Sequence, residues 1–107
     1  MNIVLYIDTS DSLVTKVALI KAAVKKEYTE KTGQNKSQNL LPLIEKVLKL
    51  EKLTLADLTA IEVNPGPGSF TGVRVGVAVA NTLGWVLKLK VNGKRVEQPV
   101  YGTSRFD

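Results

Sequence analysis

The sequence predicts an α/β domain, on three observations. It opens with an apolar run of strand length from Ile3 to Ile7, residues 37–50 carry helical periodicity, and residues 60–85 read as strand, rigid turn and apolar helix. With 107 residues there is enough chain for one core. Folding at this size buries only about two thirds of the unfolded surface, so a partner would add stability.

The elements follow in order. Ile3 to Ile7 reads as a central strand buried on both faces, ended by the turn residues Asp8, Thr9, Ser10 and Asp11. Residues 12–31 are open between two readings. Leu13, Val17, Ile20, Val24 and Tyr28 follow helical spacing, yet Val14, Thr15, Val17 and Tyr28 favour strands, and no Gly, Asn or Pro marks a hairpin turn near Lys21 to Val24. From Ser37 the pattern clears. Leu40, Leu41, Leu43, Ile44, Val47, Leu48 and Leu50 cover about half a helix circumference, with Glu45, Lys46, Lys49 and Lys52 on the other half. That apolar face is wider than one neighbour needs. Pro42 is expected in the first turns, where a missing N–H costs little. Thr54 caps a short helical turn carrying Asp57, and Ala60 to Val63 is a strand. Past the second helix, Val91, Asn92 and Gly93 make a turn and Pro99 to Gly102 is expected as a last strand.

Between Asn64 and Trp85 runs NPGPGSFTGVRVGVAVANTLGW. Pro65 and Pro67 fix their own φ, and Gly66 and Gly68 can supply positive φ, so the connection is stiff and sharply bent. Ser69 stands at the helix N-cap, able to accept from the N–H of Thr71 or Gly72. Free N–H groups of a first turn suit an anion, but the loop lacks the Lys-Ser/Thr of a Walker A motif, and such a turn is more often structural than phosphate-binding. Arg74, Asn81 and Lys88 form a thin polar seam, and nearly everything else on this helix is apolar or small. Gly72, Gly76, Ala80 and Gly84 form a flat ridge on which a neighbouring helix or a partner protein could lie close. A membrane span is set aside because the apolar stretch from Val75 to Val86 is short and interrupted by Asn81.

Composition removes several chemistries. With no cysteine and no histidine, thiol chemistry, the commonest metal ligand and the commonest general base are all missing, so neither a catalytic nor a metal site is expected. MNIVLYIDTS is too polar and short for a signal peptide, which makes a cytoplasmic location the default. The formal charge of +5 invites an RNA reading. Lys16, Lys21, Lys25, Lys26 and Lys31 fall on both faces of a hairpin, however, and Lys46, Lys49 and Lys52 on a solvated helix face. That scatter favours a general solubility charge.

IDTS at the start, SQNLLPLIEKVL in the first helix, TLADLTAIEVNPGPGSFTGVRVGVAVANTLGW in the middle and QPVYGTS near the end resemble the N-terminal lobe of the TsaB (YeaZ) family. That family sits in the actin-like/Hsp70-like superfamily and is similar to a glycoprotease-like group. The resemblance spans residues 1–107 and implies a single actin-like (ribonuclease H-like) lobe, β-β-β-α-β-α-β, with a mixed sheet and two main helices. It makes residues 12–31 two strands. It also implies a non-catalytic partner subunit for tRNA threonylcarbamoyladenosine modification, docking a TsaD-like transferase beside a TsaE-like ATPase and reaching tRNA through the complex. The helical interface expected is Leu40, Leu41, Ile44, Leu48, Val73, Val77, Ala80 and Gly84, through which a self-dimer could also form. The competing view packs those faces on each other and on the sheet.

Asp8, Thr9 and Ser10 fall at the superfamily's first phosphate-binding turn, and with Gly66, Gly68, Ser69 and Arg74 they are the candidate anion- or nucleotide-binding set. The simpler expectation is that Thr9 and Ser10 satisfy their own turn while Asp8 pairs with Arg74, a cation at the unfavourable end of a helix. The family's usual second lobe is absent from these 107 residues, so ATP or another nucleotide is expected only at a composite interface. Lys36 stands where relatives usually carry His, and Lys88 to Glu97 is longer than the usual link and could form a small basic hairpin. The alternatives are a homodimeric ATP- or phosphate-binding glycoprotease-like protein and a small basic RNA-binding module.

Overall fold

The computed structural model describes residues 1–33 and 35–96. The elements are β1 (Ile3–Asp8), β2 (Val14–Lys21), β3 (Val24–Lys31), α1 (Lys36–Leu50), a single 3-10 turn (Leu55–Asp57), β4 (Ala60–Val63) and α2 (Phe70–Leu87). The sheet order is β3-β2-β1-β4, with β1 antiparallel to β2, β2 antiparallel to β3, and β1 parallel to β4. This is the mixed-sheet α/β lobe expected. Pro99 to Gly102 lie outside the described residues.

Register explains the core. Leu19, Leu5 and Ile61 stand in one row across three strands, and Val17, Ile7 and Val63 in the next. All six are buried. Each such side chain contributes about 1.5–3 kcal/mol by leaving water. Against these rows α1 brings Leu40, Leu43, Ile44, Val47 and Leu48, lying over β2, while α2 lies over β1 and β4. β1 differs from expectation: Val4, Tyr6 and Asp8 alternate with the buried residues and are only half-buried, so the strand is covered by helices on one face. On its other face the Lys25 ammonium lies 5.0 Å from the Tyr6 ring centroid, and Lys16 pairs with Glu27 at 3.4 Å.

Residues 12–31 form a hairpin despite their helical spacing. The two-residue turn is Ala22-Ala23, both in the left-handed region with φ of 52° and 65°, the twist a tight hairpin needs. Alanine has no preference for that conformation, which is why the turn was invisible. Pro42 falls in the second turn of α1, which begins at Lys36, one residue before Ser37. The 3-10 turn is closed by the Asp57 carboxylate, which accepts from the Thr54 N–H at 2.8 Å and its hydroxyl at 3.1 Å.

After α2 the chain returns along the free edge of β4. The Ile61 N–H donates to Lys90 O at 3.0 Å and the Asn92 N–H to Ile61 O at 2.9 Å. The Asn92 side-chain amide then pairs with both backbone groups of Val63, at 2.8 and 3.0 Å. Asn92 and Gly93 turn the chain through positive φ, and Val91 pairs with Lys94. The basic segment is therefore anchored to the sheet edge.

Candidate functional site

The first phosphate-type turn and the PGPGS turn meet within the lobe, and they bind each other. Asp8 Oδ1 accepts from the Ser10 N–H at 2.9 Å and the Ser10 hydroxyl at 2.6 Å, and Asn64 Nδ2 donates to Ser10 Oγ at 3.2 Å. Ser10 O accepts from the Ser69 N–H at 2.7 Å, while the fully buried Thr9 hydroxyl donates to Gly72 O at 2.5 Å. Gly66, at φ 111°, donates its N–H to Asn64 Oδ1 at 3.0 Å. A Cβ at Gly68 would stand 2.6 Å from Ser10 Cβ and O, so only glycine lets the turns touch. Ser69 caps α2 by accepting from Gly72 N at 3.4 Å. Burial pushes the Asp8 carboxyl up, but the Ser10 hydroxyl and N–H, the Asn64 amide and the Lys16 charge outweigh it and hold it below the usual carboxylate range. The cluster is a latch between β1 and α2.

Arg74 is not in that latch. The expected Asp8–Arg74 pair does not form: Arg74 is exposed, with its guanidinium carbon 5.3 Å from the Phe70 ring centroid. Phe70 and Arg74 lie one turn apart on α2, and both are exposed. Asp8 is satisfied by neutral donors instead.

Lys36, which sequence reasoning noted only for its position, is 3% exposed. Its ammonium donates to Val14 O at 2.6 Å and reaches the hydroxyls of Thr15 and Thr32 at 3.4 Å. Burial lowers its pKa, against a smaller opposing pull from Asp11 and Asp8. A lysine at a helix start in a polar segment carries no sequence signal of burial. Its stem passes across Gly72, whose absent side chain makes the room.

The glycine ridge of α2 serves close approach within the lobe itself, to Thr9, to Lys36 at the start of α1 and to the returning chain. Added Cβ atoms at Gly72 and Gly76 would collide with Thr9, and one at Gly84 would stand 2.5 Å from Val91 Cγ2. The ridge therefore seats α2 on the end of β1 and on the returning chain. This reassigns most of the expected helical interface. Leu40, Ile44, Leu48, Ala80 and Gly84 are buried within the lobe, whereas Leu41 is 46% exposed and Val73 and Val77 are half-buried.

With its ridge residues buried and Val75, Val79, Leu83 and Leu87 packed beside them, α2 leaves three large side chains outward. Phe70 is 75% exposed, Val86 61% and Trp85 45%, and only 22% of this 18-residue helix is buried. By length and composition alone α2 could cross a membrane. Its packing is that of one layer of the lobe, with Arg74 on the open side. Among the described residues no three His, Cys, Asp or Glu side chains converge as a metal site would need.

Comparison with known proteins accords with this architecture. The family model described as TsaD, tRNA N6-adenosine threonylcarbamoyltransferase, matches residues 19–93. The tRNA threonylcarbamoyladenosine biosynthesis protein TsaB of Buchnera aphidicola subsp. Schizaphis graminum is 37% identical over 92 residues, 86% of this chain and 43% of that protein. TsaB of Bacillus subtilis is 36% identical over 89 residues, 83% of this chain and 39% of the relative. The structure of YeaZ from Pseudomonas aeruginosa superposes with a TM-score of 0.79 at 32% identity, covering 85% of this chain and 42% of the other. The chain spans less than half the length of these relatives. With a family model covering most of the sequence, and with sequence relatives and a solved fold in agreement, the chain belongs to the TsaB/YeaZ family.

Proposed function

We propose that this chain acts as a docking subunit in tRNA threonylcarbamoyladenosine biosynthesis, binding a TsaD-like transferase with its two helices and supplying no catalytic group. The observation that carries this reading is the outward face of α2. An apolar helix with Phe70, Trp85 and Val86 exposed, beside exposed Leu41 on α1, has more apolar surface than its own lobe covers. The names of the relatives place them in the same biosynthesis. The interface is Leu41, Val73 and Val77 from the expected set, extended by Phe70 and Arg74. A TsaE-like ATPase would join the assembled pair, in the cytoplasm. Any ATP would sit at the interface between proteins, because the polar groups of the latch are already bonded to one another. A second copy of the chain could occupy the same face in the partner's absence.

Light scattering after size exclusion, with the chain alone and mixed with the TsaD-like protein of the same source, tests the reading. A mixed complex lost in Phe70→Arg and Leu41→Arg supports it. Both positions are exposed, so the variants fold. A chain that ignores the partner, or a complex indifferent to both variants, overturns it.

A further inference from the structure

The charge of this protein is divided unevenly along its length. Through residue 62 nine lysines face eight carboxylates, whereas residues 63–96 carry Arg74, Lys88, Lys90, Lys94 and Arg95 and no carboxylate at all. The fold keeps that division. In the first half Lys16 and Lys25 pair with Glu27, Lys26 pairs with Glu51 and Lys36 is buried, while Lys21, Lys31, Lys46, Lys49 and Lys52 are exposed on elements that also carry carboxylates or sit beside them in sequence. Lys88, Lys90, Lys94 and Arg95 are exposed and make no ion pair among the described residues. Four cations gathered at one end of one helix are a directed field, where scattered ones are not.

Three of them, Lys88, Lys90 and Arg95, line a groove of about 700 Å³ at the end of α2, together with Trp85, Val86, Leu89 and Val96. Its frame is rigid. The helix closes with the Leu89 N–H donating to Gly84 O at 2.8 Å, and the returning strand is fastened to Val63 through Asn92. Trp85 is the single tryptophan of the chain and is held there half in and half out of solvent. An indole face flanked by exposed cations in a concave, partly apolar groove fits one chemistry. The cations track a phosphate backbone and the ring stacks a base. A membrane surface would call for a flat or convex apolar face, and an acidic peptide would leave the indole without a stacking partner.

We propose that this groove binds a single-stranded segment of RNA, with Lys88, Lys90 and Arg95 on its phosphates and Trp85 stacked on a base. The groove shares Trp85 and Val86 with the exposed face of α2 but lies at the opposite end of that helix from Phe70 and Arg74, and the inference does not depend on docking. It gives a place in the fold to the RNA-binding alternative that the sequence raised beside the expectations of indirect tRNA contact and a diffuse solubility charge.

The test uses the 107-residue chain without partner. A fluorescein-labelled 12-nucleotide RNA of mixed sequence is titrated by anisotropy, and Trp85 emission is followed in parallel. Expected are saturable binding with quenching of Trp85, and a log affinity that falls linearly with log salt. Lys88→Ala/Lys90→Ala/Arg95→Ala should lower the magnitude of that slope by about 2, at about 0.7 per lost contact. Trp85→Ala should weaken binding about tenfold with little change in slope. Heparin, a polyanion without bases, should compete while leaving Trp85 emission unchanged. Lys16→Ala/Lys25→Ala is the control for the paired lysines and should bind as the parent does. The proposal is overturned by absence of binding in low salt, by binding without a change at Trp85, or by a triple variant that binds like the parent while its circular dichroism shows it folded.

Discussion

The two helices lie in one layer on one sheet, yet they are built oppositely. α1 buries large residues, Leu40, Leu43, Ile44, Val47 and Leu48, and turns Glu45, Lys46 and Lys49 to solvent. α2 buries Gly72, Gly76, Ala80 and Gly84 and turns Phe70, Trp85 and Val86 outward. The first is held by apolar area, and apart from Leu41, Pro42 and Leu50 its outer face is polar. The second is held by close backbone approach flanked by Val75, Val79, Leu83 and Leu87, and it leaves Phe70, Trp85 and Val86 uncovered by the lobe. A helix that buries its smallest residues is one whose outer surface is meant for something else.

The sharpest break of this comparison is a pair of truncations. Ile44→Ala removes a fully buried branched side chain and should cost about 2–5 kcal/mol in urea unfolding. Phe70→Ser removes a larger side chain from α2 and should change stability by less than about 0.5 kcal/mol, because that ring is 75% exposed. Equal losses at the two sites would mean that α2 packs in solution as α1 does.

Gly76 tests the ridge directly. A Cβ there meets Thr9 Oγ1, which cannot retreat without leaving Gly72 O. Gly76→Ala should therefore lower stability by about 1–3 kcal/mol, even though alanine is the better helix former by about 1 kcal/mol. Thr9→Ala removes the obstructing hydroxyl. In a double-mutant cycle the Gly76→Ala penalty should shrink by at least about 1 kcal/mol once Thr9 is alanine. Strict additivity would place the ridge elsewhere.

The regions beside the helix starts also differ in how they answer pH. Below α2, Asp8 is held under its ordinary carboxylate range, so between the folded and unfolded values the unfolded chain binds more protons. That contribution is present above the unfolded value and is lost as pH falls through the folded one. At the start of α1, burial lowers the pKa of Lys36, and again the unfolded chain binds more protons between the two values, here in the alkaline range below that of free lysine. Stability should rise with pH in both windows. Asp8→Asn should flatten the acid limb and Lys36→Met the alkaline limb, each leaving the other intact in melting curves across pH.

Much of this was legible in the residues. The stripe of α1, the strand of residues 60–63 and the Ser69 cap follow from periodicity and turn chemistry, which are local. What was hidden depends on partners distant in sequence. The glycine ridge was plain, but Thr9 and Val91 as its neighbours were not. Nor could position 36 reveal a buried ammonium whose acceptors come from Val14, Thr15 and Thr32. The hairpin at Ala22-Ala23 was concealed for a different reason: the β2–β3 pairing imposes left-handed geometry on residues that do not ask for it. The cations near the end of α2 were individually visible, and only the fold shows that they share one groove.

The helices agree in one feature, and it supplies the finest test of their difference. Each ends on a lysine in the left-handed conformation, Lys52 at φ 57° and Lys88 at φ 58°. Each is closed by the following residue, Leu53 N–H to Leu48 O and Leu89 N–H to Gly84 O, both at 2.8 Å. Glycine is the residue that position favours, so Lys52→Gly and Lys88→Gly should each stabilise the fold by about 1 kcal/mol, read as a higher melting temperature. Their effects on RNA should diverge. Lys52 belongs to the balanced half of the chain, and its replacement should leave the salt slope of binding unchanged. Lys88 lines the groove, and its replacement should lower the magnitude of the slope by about 0.7 while the protein becomes more stable. A gain in stability coupled to a loss of RNA affinity, at one cap and not at its twin, separates a binding role from a structural one without relying on a damaged protein.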